Sequence, residues 1–187
     1  NFVSDDEIRR VAIDYIGDLR GDAVVPRYTT DGCRVNVTAV NLRSVIQGSW
    51  YDDTLKDTVT DYHYDANIIN GYLELIKKRS ANLLPQPGLE VIRSDLWSKL
   101  TINYSEKHRA LIKHTALFMS KMVFFPIKLD EFWTLLVVDN DRKCVTHYDT
   151  SNIERPEILI QIKQLMAREA QKRKLSHYNS NHWDFSQ

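Results

Sequence analysis

The chain reads as an α+β domain in which strands are inserted among helices. Two observations predict this. Near-continuous runs of apolar and β-branched residues at 122–127 and 132–138, followed by a shorter run at 143–148, have the length and composition of neighbouring strands. Apolar residues also recur at helical spacing before those runs, at Ile68, Ile69, Tyr72, Leu73 and Ile76, and after them, at Ile158, Leu159, Ile162, Leu165 and Met166.

Taken in order, Ser4-Asp5-Asp6-Glu7 is a capping box, and Ile8, Val11, Ala12, Tyr15, Ile16 and Leu19 follow at helical spacing before Gly21, so a helix is expected within 1–23. Residues 24–38 are irregular, with Pro26 and Gly32 as breakers, while Val35 and Val37 fit a short strand. The helix around 68–76 is expected to end at Lys77, Lys78 and Arg79, where cations complement the helix dipole. Pro85, Pro87 and Gly88 break the chain, and 95–100 and 105–119 read as helical. The two strong strands are so evenly apolar that both faces are expected to be covered. Asp139-Asn140-Asp141-Arg142 is a turn, and Pro156 opens a helix that runs out in Lys172-Arg173-Lys174.

With 187 residues, 43% of them hydrophobic and 27% charged, the chain is expected to be one domain, 1–187. Its 25 basic and 25 acidic side chains cancel, which argues against nucleic acid or an anionic membrane as partner. The basic run at 172–174 reads as a solvated helix end. Only Cys33 and Cys144 are present, without a CxxC pair, and His63, His108, His114, His177 and His182 show no metal spacing; neither a metal nor another cofactor is expected. There is no signal-peptide pattern and no apolar run near the ~20 residues that span a bilayer. An intracellular protein, nuclear or cytoplasmic, is expected.

The block from 123 to 150 resembles the core of the Ulp1 and sentrin-specific cysteine protease family. In that family a proline-containing strand leads to a loop, then to His-Trp and a hydrophobic strand ending in Val-Val-Asp, a turn, and a strand ending in Tyr-Asp-Ser. Here Pro126, Leu129, Trp133, Leu135, Val137, Val138, Asp139, Val145, Tyr148 and Asp149 fall into those places without a gap. Trp50-Tyr51-Asp52-Asp53 and the stretch from Asn67 to Leu73 are similar to the two halves of a second family motif, split here by an insertion at 54–66. The resemblance implies a papain-like fold, a central mixed sheet flanked by helices.

The family's reaction needs a cysteine thiolate, a histidine to take its proton, and a carboxylate to orient the histidine. Asp149 stands in the aspartate place. The histidine place, seventeen residues earlier, holds Phe132, whose ring cannot accept a proton. The nucleophile is expected after the stretch His182-Trp183-Asp184-Phe185, and no cysteine follows it to Gln187. Cys144 reads as a small buried strand residue and Cys33 as a loop residue. His147 shares a strand side with Asp149 and reads as half-exposed. Acidic residues near Ser4 faintly echo the family's nucleophile helix, so circular permutation and truncation both stay open.

The resemblance therefore implies an inactive member that acts as an interaction module. Its expected partner is a protein, either SUMO or another ubiquitin-like modifier, whose tail would pass between Trp50 and Trp133, or a subunit of a hetero-oligomer or homodimer. Phe132 beside Trp133 could alternatively extend one apolar surface. The rival expectation is an active deconjugating cysteine isopeptidase whose nucleophile lies outside this sequence or on another chain.

Overall fold

The structure, a computed structural model, describes residues 28–30, 33–35, 66–83, 88–129, 132–151 and 153–187. The helix expected within 1–23, Trp50 and nearly all of the 54–66 insertion lie outside the described residues. The chain divides into two compact units, Asn1–Tyr72 and Leu73–Gln187. In the first, β1 (Tyr28–Thr30) pairs antiparallel with β2 (Cys33–Val35). Helix α1 (Ala66–Leu83) spans the boundary between the units. It continues past Lys77, Lys78 and Arg79, so these are not its terminus as the sequence suggested.

The second unit is built on a five-stranded sheet of order β3-β4-β5-β6-β7, formed by Leu89–Val91, Met122–Leu129, Phe132–Asp139, Cys144–Tyr148 and Asp184–Ser186. The inner pairs β4-β5 and β5-β6 are antiparallel; the outer pairs β3-β4 and β6-β7 are parallel. The sheet is therefore mixed, and the domain is α+β. Pro126 sits inside β4, which is tolerable because alternate residues point their N–H groups to alternate edges. The carbonyl of Phe124 faces β3 and accepts from Ile92, so position 126 faces the same edge, where β3 has already ended.

One sheet face carries the core. Val123, Phe125 and Ile127 on β4, Leu136 and Val138 on β5, and Val145 on β6 are all buried there. Packed with them are Trp97 and Leu100 of α2 (Trp97–Thr101) and Ile158, Ile162, Leu165 and Met166 of α4 (Pro156–Lys172). Each such side chain contributes about 1.5–3 kcal/mol by leaving water, and Trp97 meets Phe125 edge-on with ring centroids 5.9 Å apart. The other face is only partly covered: Trp133, Leu135 and Val137 are half-buried. The expectation of strands covered on both faces fails because an unbroken apolar run conceals a two-residue burial period.

Residues 105–119 are helical only over α3 (Glu106–Arg109), where Ser105 accepts a hydrogen bond from the His108 N–H. Turns follow, and Arg173 braces them. Its guanidinium donates to the carbonyls of Ile112 and Thr115, at 2.8 and 2.9 Å, and the Ile112 carbonyl also accepts from the Thr115 N–H and hydroxyl. Arg173 in turn donates to Glu169 at 3.1 Å, and Glu169, wholly buried, accepts from the Tyr104 hydroxyl at 2.8 Å and pairs with Arg109 at 3.3 Å. The basic run is thus not a uniformly solvated end: Lys172 meets Glu106, while Arg173 is built into the core edge. On the β3 side, Glu90 accepts from Lys77, Val91 N–H and Ala116 N–H, tying α1 and the 110–120 turns to the sheet.

Removing a buried carboxylate from between two guanidinium groups leaves them without compensation, so Glu169→Ala is expected to cost about 3 kcal/mol. Urea unfolding checks this, and a loss below about 1 kcal/mol, the scale of a solvated pair, would contradict it.

Candidate functional site

The register of the three central strands decides which side chains meet. Leu129 pairs with Phe132, Lys128 with Trp133, Leu136 with His147, and Leu135 with Tyr148. Directly opposed residues share a face, so one further step sets Asp149 opposite Thr134 and diagonal to Phe132. Phe132, Thr134, His147 and Asp149 thus belong to one face, and Trp133 and Tyr148 to the other. Phe132 and Trp133 do not form one continuous apolar surface, because neighbouring strand residues point in opposite directions. Phe132 is 58% exposed at the start of β5.

Asp149 follows the last residue of β6, and its side chain is only 2% exposed. One oxygen, Oδ1, accepts from the Ser151 N–H at 2.7 Å and from the Ser151 hydroxyl at 2.6 Å, a local turn that reverses the chain. The other, Oδ2, accepts from Arg155 Nε at 2.9 Å. Hydrogen bonds from Ser151 and then from Arg155 favour the ionised form and lower the carboxyl to about 2. Arg155 is the residue before Pro156, at the start of α4, so this pair joins the end of β6 to the start of the helix. The Arg155 N–H donates to the Gln187 side chain at 2.7 Å, and that amide donates to the carbonyl of Ile153.

His147 is 1% exposed, not half-exposed as the strand pattern implied. Period-two alternation gives the face but not the depth, and Leu136 opposite it is fully buried. Neither ring nitrogen makes a hydrogen bond of good geometry. Burial pushes its pKa down, partly opposed by Asp149, and the imidazole is neutral at pH 7. His147, Tyr148, Asp149, Thr150, Glu154 and Gln187 line a cavity of about 420 Å³.

Cys144, at the far end of β6, is half-buried. Burial first, then Asp139 and Asp184, raise its pKa, so it is held as a thiol and is a poor nucleophile. Cys33 lies in β2. Trp97 packs in the core, whereas Trp133 keeps a partly open face. Among the described residues no group of three or more His, Cys, Asp and Glu side chains is placed to hold a metal ion, and no helix is long and apolar enough to cross a membrane. Sequence reasoning missed Arg155 and Ser151. Ser151 had a signal, since a serine two residues after an aspartate commonly closes such a turn; Arg155 had none.

The sequence profile of the Ulp1 protease family, C-terminal catalytic domain, matches residues 62–186, and the chain belongs to this family. It is 25% identical over 165 residues to a ubiquitin-like-specific protease of Arabidopsis thaliana, covering 83% of this chain and 31% of that protein. It is 24% identical over 127 residues to Sentrin-specific protease 2 of Homo sapiens, covering 67% and 21%. The chain thus spans less than a third of these relatives' length. The fold is that of the yeast Ulp1 protease domain solved in complex with Smt3, the yeast orthologue of SUMO. That match has TM-score 0.69 and 15% identity, and covers 100% of this chain and 74% of that one. A Chaetomium thermophilum Ulp1-like SUMO protease domain matches with TM-score 0.66 at 13% identity over 99% of this chain and 70% of that one.

His147 makes a prediction about pH. A buried histidine with a lowered pKa takes up its proton mainly on unfolding, so stability is full above pH 6.5, the ordinary histidine value, and falls as pH drops below it. Asp149 has the usual carboxylate sign, contributing above pH 3.8 and losing its contribution only towards 2, so the two windows separate. Thermal melts between pH 7 and 5 are expected to show the loss in the wild type and a flatter profile in His147→Leu. An equally steep profile in the variant would assign the slope to other groups.

Proposed function

We propose that this chain is a catalytically inactive member of its family that works as an interaction module, binding a ubiquitin-like modifier or a protein partner within a larger assembly. One observation carries the reading: the residue diagonal to Asp149 on the same sheet face is Phe132. A histidine there would sit within reach of the carboxylate and could take a proton from a thiol. A phenyl ring can do neither. The buried imidazole on this face, His147, pairs with Leu136, four positions along β5 from Phe132, and neither of its ring nitrogens has a hydrogen bond of good geometry.

Binding does not need the missing base. Trp133 offers a rigid, partly open indole on the opposite sheet face from Phe132, and indoles bind extended, glycine-rich chain at low entropic cost. Trp50, the partner in this reading, lies outside the described residues. The relatives named for ubiquitin-like and sentrin substrates favour a modifier of that class as the ligand, in the nucleus or cytoplasm.

A ubiquitin-like modifier carrying a C-terminal aldehyde or vinyl sulfone is expected to form no covalent adduct with the protein. Covalent capture would overturn the inactive reading in favour of a deconjugating cysteine isopeptidase. In titrations of unmodified modifiers, Trp133→Ala is expected to weaken binding about tenfold, the loss typical of an aromatic anchor. An unchanged affinity would remove Trp133 from the interface, and no binding at high micromolar concentration would leave another protein as the partner.

A further inference from the structure

We propose that Arg155 is a lock on Asp149, which keeps the carboxylate from orienting any imidazole placed at position 132. The inference rests on the reading of Phe132 and Asp149 as the histidine and aspartate places, and goes beyond it by naming a second obstacle. A carboxylate that holds an imidazole must offer it a lone pair and an unneutralised charge. At Asp149 three of about four lone-pair sites are taken, and the charge is neutralised beside the one that remains. Two donors from Ser151 occupy Oδ1, and Arg155 Nε occupies Oδ2 at 2.9 Å with its positive charge against the oxygen.

The pair is sheltered: the Asp149 side chain is 2% exposed and that of Arg155 is 24% exposed, so water screens it less than it would a surface pair. Its geometry is fixed from both sides. Asp149 is anchored by the Ser151 turn, and Arg155 by its position next to Pro156 at the start of α4 and by its backbone bond to Gln187. An imidazole brought to position 132 therefore meets a carboxylate already neutralised by a guanidinium. An imidazolium there would also feel the Arg155 charge as repulsion. Reverting Phe132 alone does not rebuild the dyad; Arg155 must be lost as well.

The test reads the imidazole itself. In Phe132→His, NMR titration of the introduced ring is expected to give a midpoint near or below the unperturbed value of about 6.5. Adding Arg155→Met, which keeps the side-chain length but removes the charge and donors, is expected to raise that midpoint by about one unit or more, as a freed carboxylate does for a nearby imidazolium. Adding Asp149→Asn to the double variant should cancel the rise, which assigns it to this carboxylate. If Arg155→Met perturbs folding, Arg155→Gln supplies the same comparison, with one-dimensional spectra as the check. A midpoint already raised in Phe132→His alone, or unmoved by the loss of Arg155, would overturn the lock. These outcomes do not depend on the modifier probe: covalent capture would sink the inactive reading, whereas the titration decides only whether Arg155 holds Asp149.

Discussion

Helix α4 is tied to the rest of its unit at both ends by a carboxylate and a guanidinium. At its start Arg155 holds Asp149 at the end of β6; near its close Glu169 is held by Arg173 and Arg109. Between the two ties the apolar stripe of Ile158, Ile162, Leu165 and Met166 lies on the core face of the sheet. Burial drives that packing without fixing its direction, because hydrophobic contact is largely non-directional. The ionic ties supply the direction. They tie the helix start to the end of β6, and Arg173 braces the turns of residues 110–120 through the Ile112 and Thr115 carbonyls.

The same economy explains the site. Asp149 is used structurally, its lone pairs divided between the Ser151 turn and Arg155, while the residue diagonal to it on the sheet is a phenyl ring with most of its surface in water. A ring at 58% exposure adds little to the fold, so position 132 is not constrained by the core. Nothing about sheet packing demands an aromatic residue there. Trp133 is separated from Phe132 by strand alternation, so the two rings lie on opposite faces of the sheet.

Much of the fold was legible because its signals are periodic. The strands at 122–129, 132–139 and 144–148 and the helices at 66–83 and 156–172 follow in place from apolar spacing and from Pro156, although the first helix runs on past the basic cluster at 77–79. Three-residue strands carry no such signal, so nothing in the apolar spacing marks β1 or β3. The span 105–119 has a composition that favours helix, while the turns it forms instead are braced by Arg173, some 60 positions away. Phe132 and Asp149 could be placed by motif alone. The Asp149–Arg155 tie could not, since an arginine before a helix has many possible partners, and only the folded turn selects one.

Asp149 clamps the start of α4 through Arg155. A double-variant cycle in thermal denaturation tests this most directly, comparing Asp149→Asn, Arg155→Met and the two combined. Each single change is expected to lower the melting temperature, and the combination to be no worse than the more damaging single change, because both break one interaction. Fully additive losses, or no loss from Arg155→Met, would show that the two residues do not hold each other.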